Sequence, residues 1–282
     1  MNFSEIRFER HNRTAIVTFD RPQARNCIGP ITHKELITAW RTFRDDPELY
    51  VAILTGAGDQ AFCAGADLKA VAALAIPSED IRQDNAVDEP PGILGPSRWT
   101  NIYKPIIAAV NGVAFAGGLE WACFADIRIA EEHAQFGVTS RRWNIGLADG
   151  GTQRLSRIVG LGRALDLIIT GRVINAKEAE QIGLVTSIVP RGQSLPKALE
   201  LANFIASLPQ EAIRTDKEAT VRGFGESLAE GLRIEAECFN RLPLNALLDG
   251  AARFKRKEHP DQGPNKGFRT PGLVPRSDKH DC

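Results

Sequence analysis

No two of the five cysteines fall into a C-x-x-C spacing: Cys27, Cys63, Cys123, Cys238 and Cys282 are scattered and odd in number. That excludes a disulfide framework and a cysteine zinc site, and it fits a reducing, cytoplasmic setting. Net charge is lacking as well. Lys and Arg number 35, and so do Asp and Glu; no global field draws nucleic acid or an acidic membrane, and any anion site has to be local. No run approaches the roughly 18 apolar residues of a membrane span, and residues 1–7 hold no apolar signal core. The expectation is a protein with neither membrane nor nucleic acid as partner. The sequences G-x-x-x-x-G-K-[ST], H-E-x-x-H and G-x-S-x-G do not occur, and Gly160-Leu161-Gly162 lacks the third glycine of a dinucleotide fingerprint. The five histidines (His11, His33, His133, His259, His280) stand at no ligand spacing. Metal and serine-triad chemistry fall away, and no metal site is expected.

What is present is ordinary for a folded α/β chain. With 282 residues, 43% hydrophobic and 25% charged, the chain makes roughly two domains, or one large α/β unit with an appendage. Residues 5–10 and 13–20 alternate apolar and polar around Asn12, which predicts a β-hairpin. A helix is expected from Pro30 to Arg44, where Leu36, Ile37, Trp40 and Phe43 recur at helical spacing and Pro30 suits a first turn. The runs 50–54, 106–110 and 126–130 read as strands, the first two continuously apolar and so covered on both faces. Residues 75–98 have no period and are rich in Pro, Gly and charge, which predicts a mobile functional loop. From Ser194 the pattern turns helical through 195–208, 211–222, 228–239 and 246–254, with a boundary near residue 200. The end from Arg253, with eight Lys or Arg against four Asp or Glu, reads as a loose tail.

Two segments that each follow a buried strand could carry chemistry. One runs from Ala61 to Lys69 (AFCAGADLK) and the other from Asn111 to Glu120 (NGVAFAGGLE). Glycines and small residues there let the backbone approach a ligand and leave N–H groups to donate. The second segment leads into an apolar helix beginning near Gly117, so its first amides and the positive end of the helix dipole point outward. Such a pair of donors suits a thioester carbonyl that becomes an enolate. Tight turns with close helix–sheet packing are the competing interpretation, and spacing alone leaves both open.

The successive stretches FCAGADLK (62–69), KPIIAAVNG (104–112) with GGLE (117–120), GGTQRL (150–155), and TGR (170–172) through Glu178-Ala179 to GLV (183–185) resemble the motifs of the enoyl-CoA hydratase/isomerase, or crotonase, family in order and spacing. The resemblance extends from about Ile6 to Phe254. It implies an α/β fold, a crotonase-like spiral of ββα repeats over residues 1–200 with the acyl-CoA site, then a C-terminal helical trimerisation region over 201–260 and a flexible tail over 261–282. It implies a homotrimer or dimer of trimers, and coenzyme A entering as part of the substrate with no separate cofactor. Carried over by motif position, the oxyanion-holding amides belong to Ala66 and Gly117, and Ala64, Ala66, Asp67, Leu68 and Lys69 lie along coenzyme A.

Glu120 occupies the position of the first family glutamate, where it can act as acid/base or merely favour the helix dipole. The second family glutamate is missing. Hydratases of the family read F-G-x-P-E; this chain reads FGVTS, so Ser140 stands in its place. The nearest replacement is Asp149, one residue away from where some relatives place a catalytic aspartate, and equally suited to cap the following helix. Arg141 and Arg142 could pair with a substrate carboxylate, with Asp149 or with solvent. Trp121, Trp143 and Phe115 could line an acyl pocket or pack in the core, and Arg253–Lys257 could reach coenzyme A phosphates or be solvated. The expectation is hydration of a 2-enoyl-CoA with Glu120 activating water and Asp149 a source of the α-proton. A double-bond isomerase, an acyl-CoA lyase or hydrolase, and an acyl-CoA-binding scaffold are the alternatives.

Overall fold

The computed structural model describes residues 2–70 and 90–256. Strands β1 (Ile6–His11) and β2 (Thr14–Phe19) form the expected hairpin, with Ile6 opposite Phe19 and the turn at Asn12 in the left-handed region (φ 55°). Helix α1 (Pro30–Asp45) starts on Pro30, as the fixed φ of proline favours, and buries Leu36, Ala39, Trp40 and Phe43. The strands that follow are β3 (Val51–Gly56), β4 (Ala61–Cys63), β5 (Ile106–Val110) and β6 (Val113–Phe115). Helix α2 (Gly117–Phe124) leads to β7 (Ile127–Glu131) and β8 (Gln135–Gly137). Next come α3 (Gly151–Val159), α4 (Leu161–Thr170), β9 (Val173–Asn175), α5 (Ala176–Gln181) and β10 (Ser187–Val189). Four helices close the described chain: α6 (Ser194–Ser207), α7 (Gln210–Gly223), α8 (Leu228–Phe239) and α9 (Leu244–Lys255).

Each turn of the spiral lays one long strand in a six-stranded sheet, β1-β2-β3-β5-β7-β10, and the next short strand in a four-stranded sheet, β4-β6-β8-β9. Thus β3 is followed by β4, β5 by β6 and β7 by β8. All pairs are parallel except β1–β2 and β8–β9. The crossing between sheets is clamped by Asn111, whose Nδ2 donates to the carbonyls of Gly56 and Gly58 (2.7 Å each) while its Oδ1 accepts from Gly56 N–H.

The continuous apolar runs have a simple origin. Strand periodicity sends alternate side chains to opposite faces, and both faces are covered. Ala52, Leu54, Ala108, Val110 and Ala130 join the cluster that holds Trp40 of α1 and Trp121 of α2. Val51, Ile53, Ile107, Ala109 and Ile129 join a second cluster with Ala198 and Ala202 of α6. Buried Arg128 on β7 donates through Nε to Leu184 O (2.6 Å) and through Nη2 to Asp126 O (3.2 Å), tying the sheet to the chain beyond α2.

Two expectations change. Residues 75–89 of the region expected to be a loop lie outside the described residues, but from residue 90 it is packed: Leu94 and Ser97 are buried, and Pro96–Arg98 forms a 3-10 turn. Its apolar and hydroxyl side chains face buried partners, so the absence of a period concealed a core segment. The end is helical through Lys255 rather than loose from Arg253; residues 261–282 lie outside the described residues. Among the described residues no helix is long and apolar enough to cross a membrane.

Because both sheet faces are buried, Ile53→Ala and Leu54→Ala should each lower stability by about 2–5 kcal/mol. Urea denaturation checks this; a near-silent result at either neighbour would mean an uncovered face.

Candidate active site

The chain leaves β4 through Ala64, Gly65 and Ala66. Gly65 has φ +97°, and a Cβ on it would lie 2.9 Å from Gly117 N, so only glycine fits between the two backbones. Ala66 forms an isolated parallel bridge with Ile28: Ile28 N–H donates to Gly65 O and Asp67 N–H to Ile28 O, 2.9 Å each. The bridge uses the groups on either side of Ala66. In extended backbone, Ala66's own N–H then points the other way. Across from it, β6 passes into α2 through Ala116, an alanine at φ 49°, ψ −118°, where L-residues are costly and where functional turns often hold them. Gly117 N–H is the first amide of α2 and has no carbonyl one turn earlier. Among the described residues neither Ala66 N–H nor Gly117 N–H donates to a protein acceptor. Both residues line one cavity of about 110 Å³, together with Ala64, Leu68, Glu120, Ser140 and Asp149.

Glu120 is 3% exposed. Its Oε1 accepts from the N–H groups of Asp149 and Gly151, 2.8 Å each. A Cβ on Gly151 would come within 2.9 Å of Oε1, which explains a glycine there. Burial foremost, with the nearby Asp149 charge, raises the Glu120 carboxyl from the usual range to about 7, against the opposing pull of the amide donors. Asp149 is fully buried, and its Oδ1 accepts from Leu94 N–H (2.9 Å) and Ser97 O–H (2.5 Å). Among the described residues its Oδ2 has no hydrogen-bond partner. Burial also pushes the Asp149 carboxyl up, while Ser97, Leu94, Arg98 and His33 pull it down. Each carboxyl is therefore held at one oxygen by two donors. The arrangement can keep one proton near neutral pH and move it.

The capping alternative for Asp149 is overturned: Gly150, at φ +94°, is the N-cap of α3, and the Asp149 carboxylate turns away to Leu94 and Ser97. Ser140 Oγ is buried in the cavity wall and Arg141 Nε in its own surroundings, each without a hydrogen-bond partner among the described residues. Arg142 is exposed. Trp143 lines the cavity mouth at 68% exposure, whereas Trp121 is core, stacked on Trp40 with its Nε1 donating to Leu94 O. Phe115 does not line the cavity. Of the residues placed along coenzyme A by motif, Ala64, Ala66 and Leu68 line the cavity and Lys69 is exposed beside it. Asp67 does not line it; its Oδ2 pairs with Arg21 Nη2 at 3.0 Å. Arg253 to Arg256 end α9, and Lys257 lies outside the described residues. Sequence reasoning missed Leu94 and Ser97, which carried no periodic signal, and the backbone turn at Ala116.

Residues 9–263 match the family model of enoyl-CoA hydratase/isomerase. Over 243 residues the chain is 38% identical to the short-chain-enoyl-CoA hydratase of Clostridium acetobutylicum, which covers 85% of this chain and 89% of that protein. Identity to the crotonyl-CoA hydratase of Syntrophomonas wolfei is 37% over 242 residues, or 85% and 90% of the two chains. Among solved structures, an enoyl-CoA hydratase from Bacillus anthracis matches with a TM-score of 0.79 at 34% identity, covering 93% of this chain and 100% of that one. One from Mycobacterium tuberculosis H37Rv gives 0.80 at 30% identity, covering 93% and 99%. With the spiral of paired strands and the two facing amides already in place, this chain belongs to the enoyl-CoA hydratase/isomerase family.

Proposed function

We propose that this chain adds water to a short-chain 2-enoyl-CoA, with Glu120 and Asp149 as its acid/base pair. The observation that carries the reading is a single small cavity lined by two unpartnered amides, Ala66 and Gly117, and by two buried carboxyls. The amides hold the thioester oxygen and strengthen their grip as it becomes an enolate. Ala64, Leu68 and Lys69 run along the coenzyme A part of the substrate, and no separate cofactor enters the chemistry. A cavity of about 110 Å³ and the names of the two hydratase relatives both favour a short acyl group.

Electrostatics favour a division of labour opposite to the one expected from sequence. Asp149 has a charge-stabilising hydroxyl, an amide and the nearby Arg98, so the base's role falls to it, while Glu120 keeps its proton up to about pH 7. Asp149 Oδ2 then takes a proton from water as the water oxygen bonds to the β-carbon. The double-bond electrons move toward the thioester, whose oxygen rests on Ala66 and Gly117. Collapse of the enolate draws the Glu120 proton to the α-carbon, completing addition of one water. Proton return from Asp149 to Glu120 resets the pair. Ser140 Oγ, buried at the same wall and without a partner among the described residues, supports the reading as a further hydrogen-bonding site for the attacking water.

Crotonyl-CoA should lose its enone absorbance in the presence of the protein. Glu120→Gln and Asp149→Asn should each lower kcat/KM by about 10²–10⁴, and Ser140→Ala by less than about tenfold. A shift of the double bond without hydration would instead establish the isomerase, and binding of acyl-CoA without turnover the scaffold.

The raised Glu120 pKa also has a stability consequence. Protons favour the folded state here, so the contribution is full below the unfolded carboxyl value of 4.5 and is lost as pH rises through about 7. Chemical denaturation should find Glu120→Gln gaining on wild type by a few kcal/mol between pH 4.5 and pH 8.

Two coarser expectations fit the same picture. The free thiols of Cys27, Cys63, Cys123 and Cys238 support a reducing, cytoplasmic compartment. Leu228, Leu244, Leu248 and Phe254 of α8 and α9 are 62–80% exposed, a costly apolar surface that supports a homotrimer or dimer of trimers. Sedimentation should return an oligomer for the wild type and the monomer for Leu248→Asp/Phe254→Asp.

A further inference from the structure

We propose that Ser97 is a positioning residue of this reaction, whose hydroxyl anchors Asp149 at Oδ1 and leaves Oδ2 as the oxygen that meets water. The inference rests on the hydratase reading of the Glu120–Asp149 pair.

Residues 92–97 are folded around one oxygen atom. Leu94 N–H and Ser97 O–H both end on Asp149 Oδ1. Gly92 backs the same spot so closely that a Cβ there would lie 1.9 Å from Oδ1 and 2.6 Å from Ser97 Oγ. With both donors committed to Oδ1, Oδ2 has no partner among the described residues. A carboxylate anchored at one oxygen has its other lone pairs directed, which is how a base gains orientation without being consumed by its anchor.

The cup is also held by bonds that do not involve the Asp149 side chain. Gly92 N–H donates to Gly95 O (2.8 Å), Gly95 N–H to His33 Nδ1 (2.9 Å), and Trp121 Nε1 to Leu94 O (3.2 Å). Arg98 Nε donates to Ala148 O at 2.6 Å, joining the cup to the residue before Asp149. The Ser97 hydroxyl is thus delivered to Oδ1 by a frame already fastened to α1, α2 and the catalytic segment. A loose serine would gain little, because its rotamer would have to be ordered during the reaction. This one is buried completely.

The charged and titratable groups facing Asp149 are Glu120 from α2, His33 from α1 and Arg98 from the 3-10 turn. Of these Arg98 carries the positive charge, whereas burial lowers the His33 pKa and its Nδ1 accepts from Gly95 N–H, as a neutral imidazole does; both stay in place when Ser97 is changed. Removing the hydroxyl therefore raises the pH at which Asp149 ionises and leaves the remaining field intact.

The test is crotonyl-CoA hydration across pH by wild type, Ser97→Ala, Ser97→Cys, Asp149→Asn and Ser97→Ala/Asp149→Asn. Ser97→Ala should lower kcat by about 10- to 100-fold, the range for a hydrogen bond to a charged group, with KM nearly unchanged and the acid limb of the kcat/KM profile moved to higher pH. Ser97→Cys keeps the volume but donates weakly, so it should fall between, and it serves if the alanine variant folds poorly. In the Asp149→Asn background the alanine change should alter the rate less than about twofold, since residues acting through one another are not additive. Additive losses, an unmoved acid limb, or full activity in Ser97→Ala and Ser97→Cys would overturn the role of Ser97. Activity lost on Asp149→Asn but not on Ser97→Ala defeats this inference alone, whereas a wild type that never hydrates crotonyl-CoA defeats the function itself.

Discussion

The structure depends on how closely the start of α2 approaches the end of β4. A Cβ on Gly118 would lie 1.8 Å from Cys63 O, and one on Gly65 would lie 2.9 Å from Gly117 N. No side chain fits between these two pieces of backbone. Because they touch, Ala66 and Gly117, whose amides donate to no protein acceptor among the described residues, line one cavity instead of two distant turns. The approach is imposed by the spiral: β4 and β6 are adjacent parallel strands of the small sheet, and α2 leaves β6 through the strained turn at Ala116. The energy stored in that turn is held by the surrounding core, where Trp121 of α2 packs on Trp40 and Phe19.

From that contact the electrostatics follow. Glu120 sits in the first turn of α2 and is carried into the interior with it, close to Asp149. Burying two carboxyls in one place would be prohibitive if both stayed charged and unpaired. The fold answers with backbone and hydroxyl donors rather than with a salt bridge to either group. Amide donors at Oε1 and Oδ1 lower the cost of ionisation without abolishing the effect of burial, so both pKa values remain raised. A strong Arg partner would have held the carboxyls charged at every working pH and removed their use as proton carriers.

The parts legible in the sequence were those governed by periodicity or by glycine. The hairpin, α1, the doubly covered strands and the start of α2 came from patterning, since a strand buried on both faces must be apolar throughout and Gly65, Gly117 and Gly118 mark close backbone contact. Glu120 and the missing glutamate at Ser140 were legible by position in a motif. Whether Asp149 caps a helix or serves the cavity was not, because both roles use the same residue at the same place in the chain; the choice was made by Leu94 and Ser97, which are more than fifty positions away in sequence. Those two residues sit in a stretch without period, where single polar contacts to a distant segment leave no repeating trace. Likewise the positive φ of Ala116 could not be read from an alanine, a residue that normally avoids it.

The departure at Ser140 shows which part of such a site is free to vary. The amides that would receive the thioester oxygen are main-chain groups, so any side chain compatible with the close packing preserves them, and their geometry is set by the fold as a whole. A carboxyl that moves protons needs only burial, two donors at one oxygen and access to the cavity with the other. Asp149, nine residues beyond Ser140 in the segment just before α3, is a buried, cavity-lining carboxyl with two donors at one oxygen, as the proposed reaction requires. Losing a carboxylate at one wall is therefore tolerable when a second wall can supply one. That carboxyl depends on its donor cup, since without Leu94 and Ser97 burial would push Asp149 further toward the neutral form, which already carries a proton and cannot accept another.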